Sequence, residues 1–169
     1  MSVAQMLLPE FDREMATTRR LLERVATETF DFKPHPKSGT MQWLAGHVAL
    51  LPMWAVETMA KTELDLNPSD GSMEPPPAPT TTEELLQMFD TQAAAARAAI
   101  AGGADEDFMV DWTLLNAGEP VFTMPRVAVI RVFVMNHLIH HRGQLSVYLR
   151  LNDIPVPSIY GPSADEEAF

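Results

Sequence analysis

The chain has 169 residues, 46% hydrophobic and 21% charged, a size and balance that suit a single packed domain over residues 1–169 and exclude general disorder. A formal net charge of −11 and a pI near 4.7 disfavour nucleic acid and anionic membranes as partners, since both are bound through Lys and Arg. Without cysteine the chain has no disulfide, thiolate nucleophile or thiolate metal site, so any metal must be held by nitrogen or oxygen.

Met1–Glu10 has no basic leader and no long apolar run, and nowhere do about 18 apolar residues follow one another, so a cytoplasmic address without a membrane span is expected. From Val3 to Thr27, Met6, Leu7, Phe11, Met15, Leu21, Leu22 and Val25 recur at helical steps and predict a first helix. Pro34, Pro36 and Gly39 break the chain before a second helix from about Thr40 to Thr62. That helix carries Trp43, Leu44, Leu51 and Trp54 on one face, and Pro52, which cannot donate to Val48, predicts a kink one turn after His47. Glu63 to Pro79 is a long connection whose run from Glu74 to Pro79 favours polyproline geometry, either as a mobile linker or as a lid over a cleft.

Thr81 with Glu84 forms a capping box for a third helix that ends at Gly102-Gly103. Residues Ala104 to Met124 alternate loosely around a turn at Asn116-Ala117-Gly118 and suggest a short irregular hairpin. The fourth helix is expected from Pro125, after a Thr123 cap, to Leu151, with Asn152 as its left-handed terminus. The tail from Ile154 to Phe169 is extended, and its Asp165-Glu166-Glu167 reads as solvated surface. An all-α four-helix bundle with long connections is the economical architecture.

On the fourth helix Val127, Ile130, Val134, His137, His141, Leu145 and Tyr148 share a stripe, while Arg131, Arg142, Ser146 and Arg150 face away, Arg142 toward an acidic partner on helix one. His137 and His141, four residues apart, lie one turn apart on one face, the spacing by which two helix-borne histidines share a metal ion. His140 lies on the flank and ranks below His141 as a ligand. His47 sits between Trp43, Leu44 and Leu51, so a third imidazole points inward. A shared divalent ion satisfies one nitrogen on each ring; the competing reading is that each is a core histidine bonded to a carbonyl or glutamate. His35, between Pro34 and Pro36, reads as a surface residue.

The stretch from Asn136 to Leu145, with its two ligand-spaced histidines and Gly143-Gln144-Leu145, followed by Val147 to Arg150, resembles the signature of the DinB-like family of small bacterial metal-binding proteins. Trp43-Leu44-Ala45-Gly46-His47 resembles that family's second-helix motif, and Pro155 to Ser163 the tail of one branch. The resemblance implies a four-helix bundle, often a homodimer, with a metal centre carried here by His47, His137 and His141. It also implies kinship with transferases that use bacillithiol or mycothiol and with a thiol-dependent maleylpyruvate isomerase.

Three neutral imidazoles add no charge to the ion, so a bound water or thiol acidifies strongly. The expected chemistry is activation of a low-molecular-weight thiol, or water, for transfer to a small electrophile held beside Trp43 and Trp54. Zinc is the first choice of metal, with nickel or iron next. Tyr148 is either a substrate donor or a core tyrosine with its hydroxyl at the rim, and Gln144 either orients a ligand or cross-links helices. The rival function is a metal-binding or stress-response protein without turnover.

Overall fold

The computed structural model describes residues 1–72 and 76–167, so part of the polyproline expectation and the last two tail residues fall outside it. Helix α1 (Val3–Leu22) opens with a capping box, in which Ser2 accepts from the Gln5 amide and the Gln5 side chain accepts from the Ser2 amide. It stops before the predicted Thr27. Val25 turns into the core, and the Thr27 hydroxyl pairs instead with Thr82, the first residue of a later helix.

Helix α2 (Met41–Leu50) starts where Thr40 accepts from the Trp43 amide. Its free Met41 and Gln42 amides donate to the carbonyls of Phe32 and Phe30, so the preceding loop caps the helix. At Pro52 the expected kink is a full break, since the ring leaves no donor and a new helix, α3 (Met53–Ala60), begins after it. Helix α4 (Thr82–Gly102) is capped by Thr81 through the Glu84 amide.

The all-α expectation is corrected by a three-stranded sheet. β1 (Glu63–Asp65) pairs in parallel with β2 (Asp111–Asn116), which pairs antiparallel with β3 (Glu119–Pro125). Ala117 and Gly118 both have positive φ (52° and 82°), the geometry of a tight hairpin turn. The Asp65 carboxylate accepts from both of their amides and so ties β1 to the turn. Thr123 lies in β3 facing Thr113 rather than capping a helix, and Pro125 ends the strand.

The last helical segment is built of α5 (Arg126–Ala128), a π-helical stretch over Val129–Asn136, and α6 (His137–Leu151). The wider π turn rotates everything after it relative to a uniform α-helix. The core stripe of α6 therefore runs through Leu138, Arg142, Leu145 and Leu149, and the histidines border it instead of interrupting it. The left-handed residue after α6 is Asp153 (φ 56°), not Asn152, whose side chain bonds the Tyr148 carbonyl.

Helices α1 and α2 each pack on α4 and α6, and α3 packs on α4 and the π-helical stretch, which completes a helical bundle with the sheet at one end. A second, smaller cluster of Trp112, Leu114 and Val129 joins sheet to helices. The buried Arg126 guanidinium donates to the Lys61 carbonyl at 2.8 Å and holds α5 to the end of α3. No described helix is long and apolar enough to cross a membrane.

The acidic tail stays at the surface as expected, with Asp165 and Glu167 exposed, but two of its carboxylates are paired. Asp165 pairs with Arg150 and accepts from the Val156 amide, while Glu166 pairs with Arg20 and accepts from the Ser158 amide. Beneath this strap lies Arg142, expected to face outward but 1% exposed. Its predicted partner on α1 is Glu14, at 2.7 Å.

Candidate metal centre

His47 comes from α2, one turn before the Pro52 break, and His137 and His141 from the first turns of α6. One ring nitrogen from each lies within 4.8 Å of the others, and all three rings are half-buried. The Nε2 atoms of His47 and His137 are 3.3 Å apart. Two nitrogens bound at the usual zinc distance around a tetrahedral ion are also separated by about 3.3 Å, so this pair fits a divalent ion without rearrangement. The cluster contains no carboxylate among the described residues, which leaves coordination positions free for a ligand from outside the chain.

The other ring nitrogens are occupied in a way that sets the tautomers. His137 Nδ1 faces the Phe133 carbonyl at 3.3 Å, and His141 Nδ1 lies 2.7 Å from Gln144 Oε1. A proton on each Nδ1 leaves the lone pair of each Nε2 for a metal. Gln144 then donates its amide to His140 Nε2 at 3.0 Å, and the exposed His140 ring also packs edge-on against His141, centroids 4.9 Å apart, without being one of the three converging imidazoles. Both of these Gln144 contacts are to histidines of its own helix.

Trp43, expected in a buried stripe, is 56% exposed. Its ring stacks on His47 with an interplanar angle of 5° and centroids 5.3 Å apart, shielding one imidazole face. Gly39 makes room for it, since a Cβ there would sit 2.4 Å from the indole. Tyr148 is bound at the rim, its hydroxyl donating to the Gly39 carbonyl and its ring edge-on to Phe32, which matches the core-tyrosine reading. His35 is exposed, as its loop setting implied, and its Nδ1 accepts from the Lys37 amide.

Beside His47 opens a cleft of about 770 Å³, walled by α2–α3 on one side and by β1 and the residues after it on the other. Trp54 lines it, and the Glu63–Pro79 connection supplies part of its wall. Glu57, which also lines it, was not anticipated from the sequence. Its distance from the histidine motifs left no periodic signal, and only the break at Pro52 together with β1 pairing brings it to the same cavity.

Burial, and then the neighbouring His141 and His137, hold the His47 imidazolium well below its usual range, at about 4. His137 is lowered as well, first by burial and then by His141. The His47 and His137 rings are thus neutral at pH 7, the state a metal requires. Between about pH 6.5 and 4 the unfolded chain takes up protons that the folded chain refuses, so the metal-free protein should lose stability as pH falls through that window. Urea unfolding midpoints across this range check the effect. A His47→Gln protein should show a flatter profile, and an equally steep one would remove His47 as its source.

A family profile described as the DinB superfamily matches residues 10–145. The chain belongs to the DinB superfamily. Its fold is shared with a DinB-like protein of Bacillus cereus, at a TM-score of 0.69 and 23% identity over 90% of this chain and 95% of that one. A DinB-like protein of Bacillus subtilis gives a TM-score of 0.69 at 17% identity, covering 96% of this chain and 99% of the other. The uncharacterized protein YrdA of Bacillus subtilis is 42% identical over 45 residues. That match spans 27% of this DinB chain and only 26% of the curated relative.

Proposed function

We propose that this DinB-superfamily protein is a metal-dependent enzyme. A divalent ion, zinc first and nickel or iron next, held by His47, His137 and His141, would activate a low-molecular-weight thiol or water for transfer to a small electrophile. The observation that carries this reading is the pairing of a three-histidine cluster lacking a fourth side-chain ligand, among the described residues, with a cleft that reaches His47. A purely structural site is normally closed by a fourth protein ligand.

The chain's own residues divide the work. Phe133 and Gln144 hold His137 and His141 in the Nε2-ligand tautomer. Trp43 covers the His47 ring, and Trp54 offers an apolar wall to the electrophile. The absence of cysteine is consistent with a nucleophile brought in from outside.

The decisive experiment is metal analysis of protein purified without a histidine tag, followed by a screen of thiol cosubstrates against electrophiles. Stoichiometric metal with thiol-dependent turnover supports the proposal. Stoichiometric metal without turnover, with either thiol or water as nucleophile, favours a metal-binding protein instead.

Gln144→Leu should weaken zinc binding by about 10–100-fold, the usual cost of losing a partner that orients a ligand. Competition with a chromophoric chelator measures this, and Gln144→Glu, which keeps the acceptor for His141 Nδ1, should restore most of the affinity. Unchanged zinc affinity in Gln144→Leu would show that His141 needs no such support.

A further inference from the structure

The cleft beside His47 is apolar on two sides. Leu50, Met53 and Trp54 line it from α2 and α3, and Leu64, Leu66 and Leu115 line it from the sheet side. Both walls are held in place by the protein itself. Trp54 is fixed by edge-on contacts with Trp112 and Phe133, and the Leu66 amide donates to the Leu115 carbonyl, which carries the pairing of β1 with β2 one residue further along the cavity. Leu50, Met53, Leu64 and Leu115 are half-buried and Leu66 is exposed, so part of this apolar surface is left uncovered by protein. A preformed cavity of about 770 Å³ falls within the range of about 300–1,000 Å³ typical of sites that enclose most of a small organic molecule.

The charges around the cavity narrow the kind of molecule. Three carboxylates, Glu57, Glu63 and Asp65, line it, and the one cation among the described lining residues, Lys61, is already paired with Glu57 at 2.6 Å. A carboxylate brought into this space meets repulsion without a free cation to receive it. An ammonium fares little better. Glu57 is occupied by Lys61, Glu63 is exposed to water, and the Asp65 oxygens accept from the amides of Asn67, Ala117 and Gly118. The feature left without a partner is the apolar surface, and covering it is the main source of binding energy the cleft offers.

We propose that the cleft binds a neutral, largely apolar molecule, with an aryl or alkyl body seated between Leu50, Met53 and Trp54 on one side and Leu64, Leu66 and Leu115 on the other, and that it discriminates against carboxylated substrates. The class of the body does not depend on a metal. The placement of its reacting end at the three histidines rests on the metal-dependent reading above.

Calorimetric titration of the full-length, metal-free protein with phenylethanol, phenylpropanol and phenylbutanol should show binding that tightens by about two- to fourfold per methylene, with a negative heat-capacity change. Phenylbutanoate should bind at least about tenfold more weakly than phenylbutanol, and phenylbutylamine should stay within about fivefold of the alcohol. Glu63→Lys, at an exposed position, should recover at least about threefold of the carboxylate's loss. Leu50→Asn with Met53→Gln should flatten the gain per methylene, with circular dichroism to verify folding, and Leu66→Asn at an exposed position reads the same loss where the double variant does not fold. Saturating zinc should strengthen phenylbutanethiol by at least about tenfold through a metal–sulfur bond and leave phenylbutanol unchanged.

A carboxylate that binds as well as the alcohol, an amine favoured beyond that margin, or a gain per methylene that survives the lining substitutions overturns the proposal. A zinc-loaded protein in which the thiol gains nothing overturns the placement of the reacting end at the histidines. Apolar binding in a protein that takes up no zinc would leave the class of the body standing and remove the metal-dependent reading. Zinc uptake without a gain per methylene would do the reverse.

Discussion

Replacing His141 with alanine is expected to lower zinc affinity by well over about a hundredfold, more than the 10–100-fold typical of losing a residue that only orients a ligand. The same loss is expected for His47→Ala and His137→Ala, because the three rings converge within 4.8 Å and none has a neighbouring carboxylate to replace it among the described residues. His140→Ala should change affinity far less. That ring lies at the edge of the cluster, packed on His141 and bonded to Gln144, whose own bond to His141 survives its removal. Chelator competition on the four variants, with circular dichroism to verify folding, separates the assignments. Full metal occupancy in folded His47→Ala and His141→Ala proteins would show that the three histidines do not act together, and equal losses at His140 and His141 would show that the flanking ring had been misplaced.

His137 and His141 could be paired from sequence because a four-residue step survives any uniform helix, and both fall in α6, past the π turn. His47 could be placed with them because the break at Pro52 comes one turn later and leaves α2 regular around it. What periodicity could not supply was the absolute rotation of the last helix. A pattern counted continuously from Val127 ignores the extra residue per turn in Val129–Asn136, and so it put Arg142 outside and the histidines at the centre of the seam. The hairpin of β2 and β3 was legible from its turn at Asn116-Ala117-Gly118, but the third strand of the sheet was hidden for a different reason. β1 is three residues long, too short for an alternating pattern, and is held by pairing with β2 nearly fifty residues away. Glu57 was missed in turn because only that long-range pairing closes the cavity around it.

Replacing Arg142 alone with methionine is expected to destabilise the protein by about 3–5 kcal/mol, the usual penalty for leaving one member of a buried ion pair uncompensated. For a chain of this size that corresponds to a fall in Tm of roughly 6–20 °C. The Glu14 carboxylate would keep only the Tyr160 hydroxyl, 2.9 Å away. The Glu14 carbonyl and the Thr18 hydroxyl would also lose the Arg142 Nη1 donor. The double replacement Glu14→Leu with Arg142→Met should recover most of the loss, since no buried charge then lacks a partner. Calorimetry on the two singles and the double forms the cycle. If the double variant is as unstable as the sum of the singles, the cluster acts through packing and not through charge pairing. The same cycle bears on the histidines, because Arg142 directly follows His141 and its anchoring to α1 fixes the rotation of α6 that the π turn has reset. Zinc affinity should therefore fall in the single Arg142→Met variant, where α6 is pulled by an unpaired carboxylate, and return in the double, where an apolar contact holds the helix at the same angle.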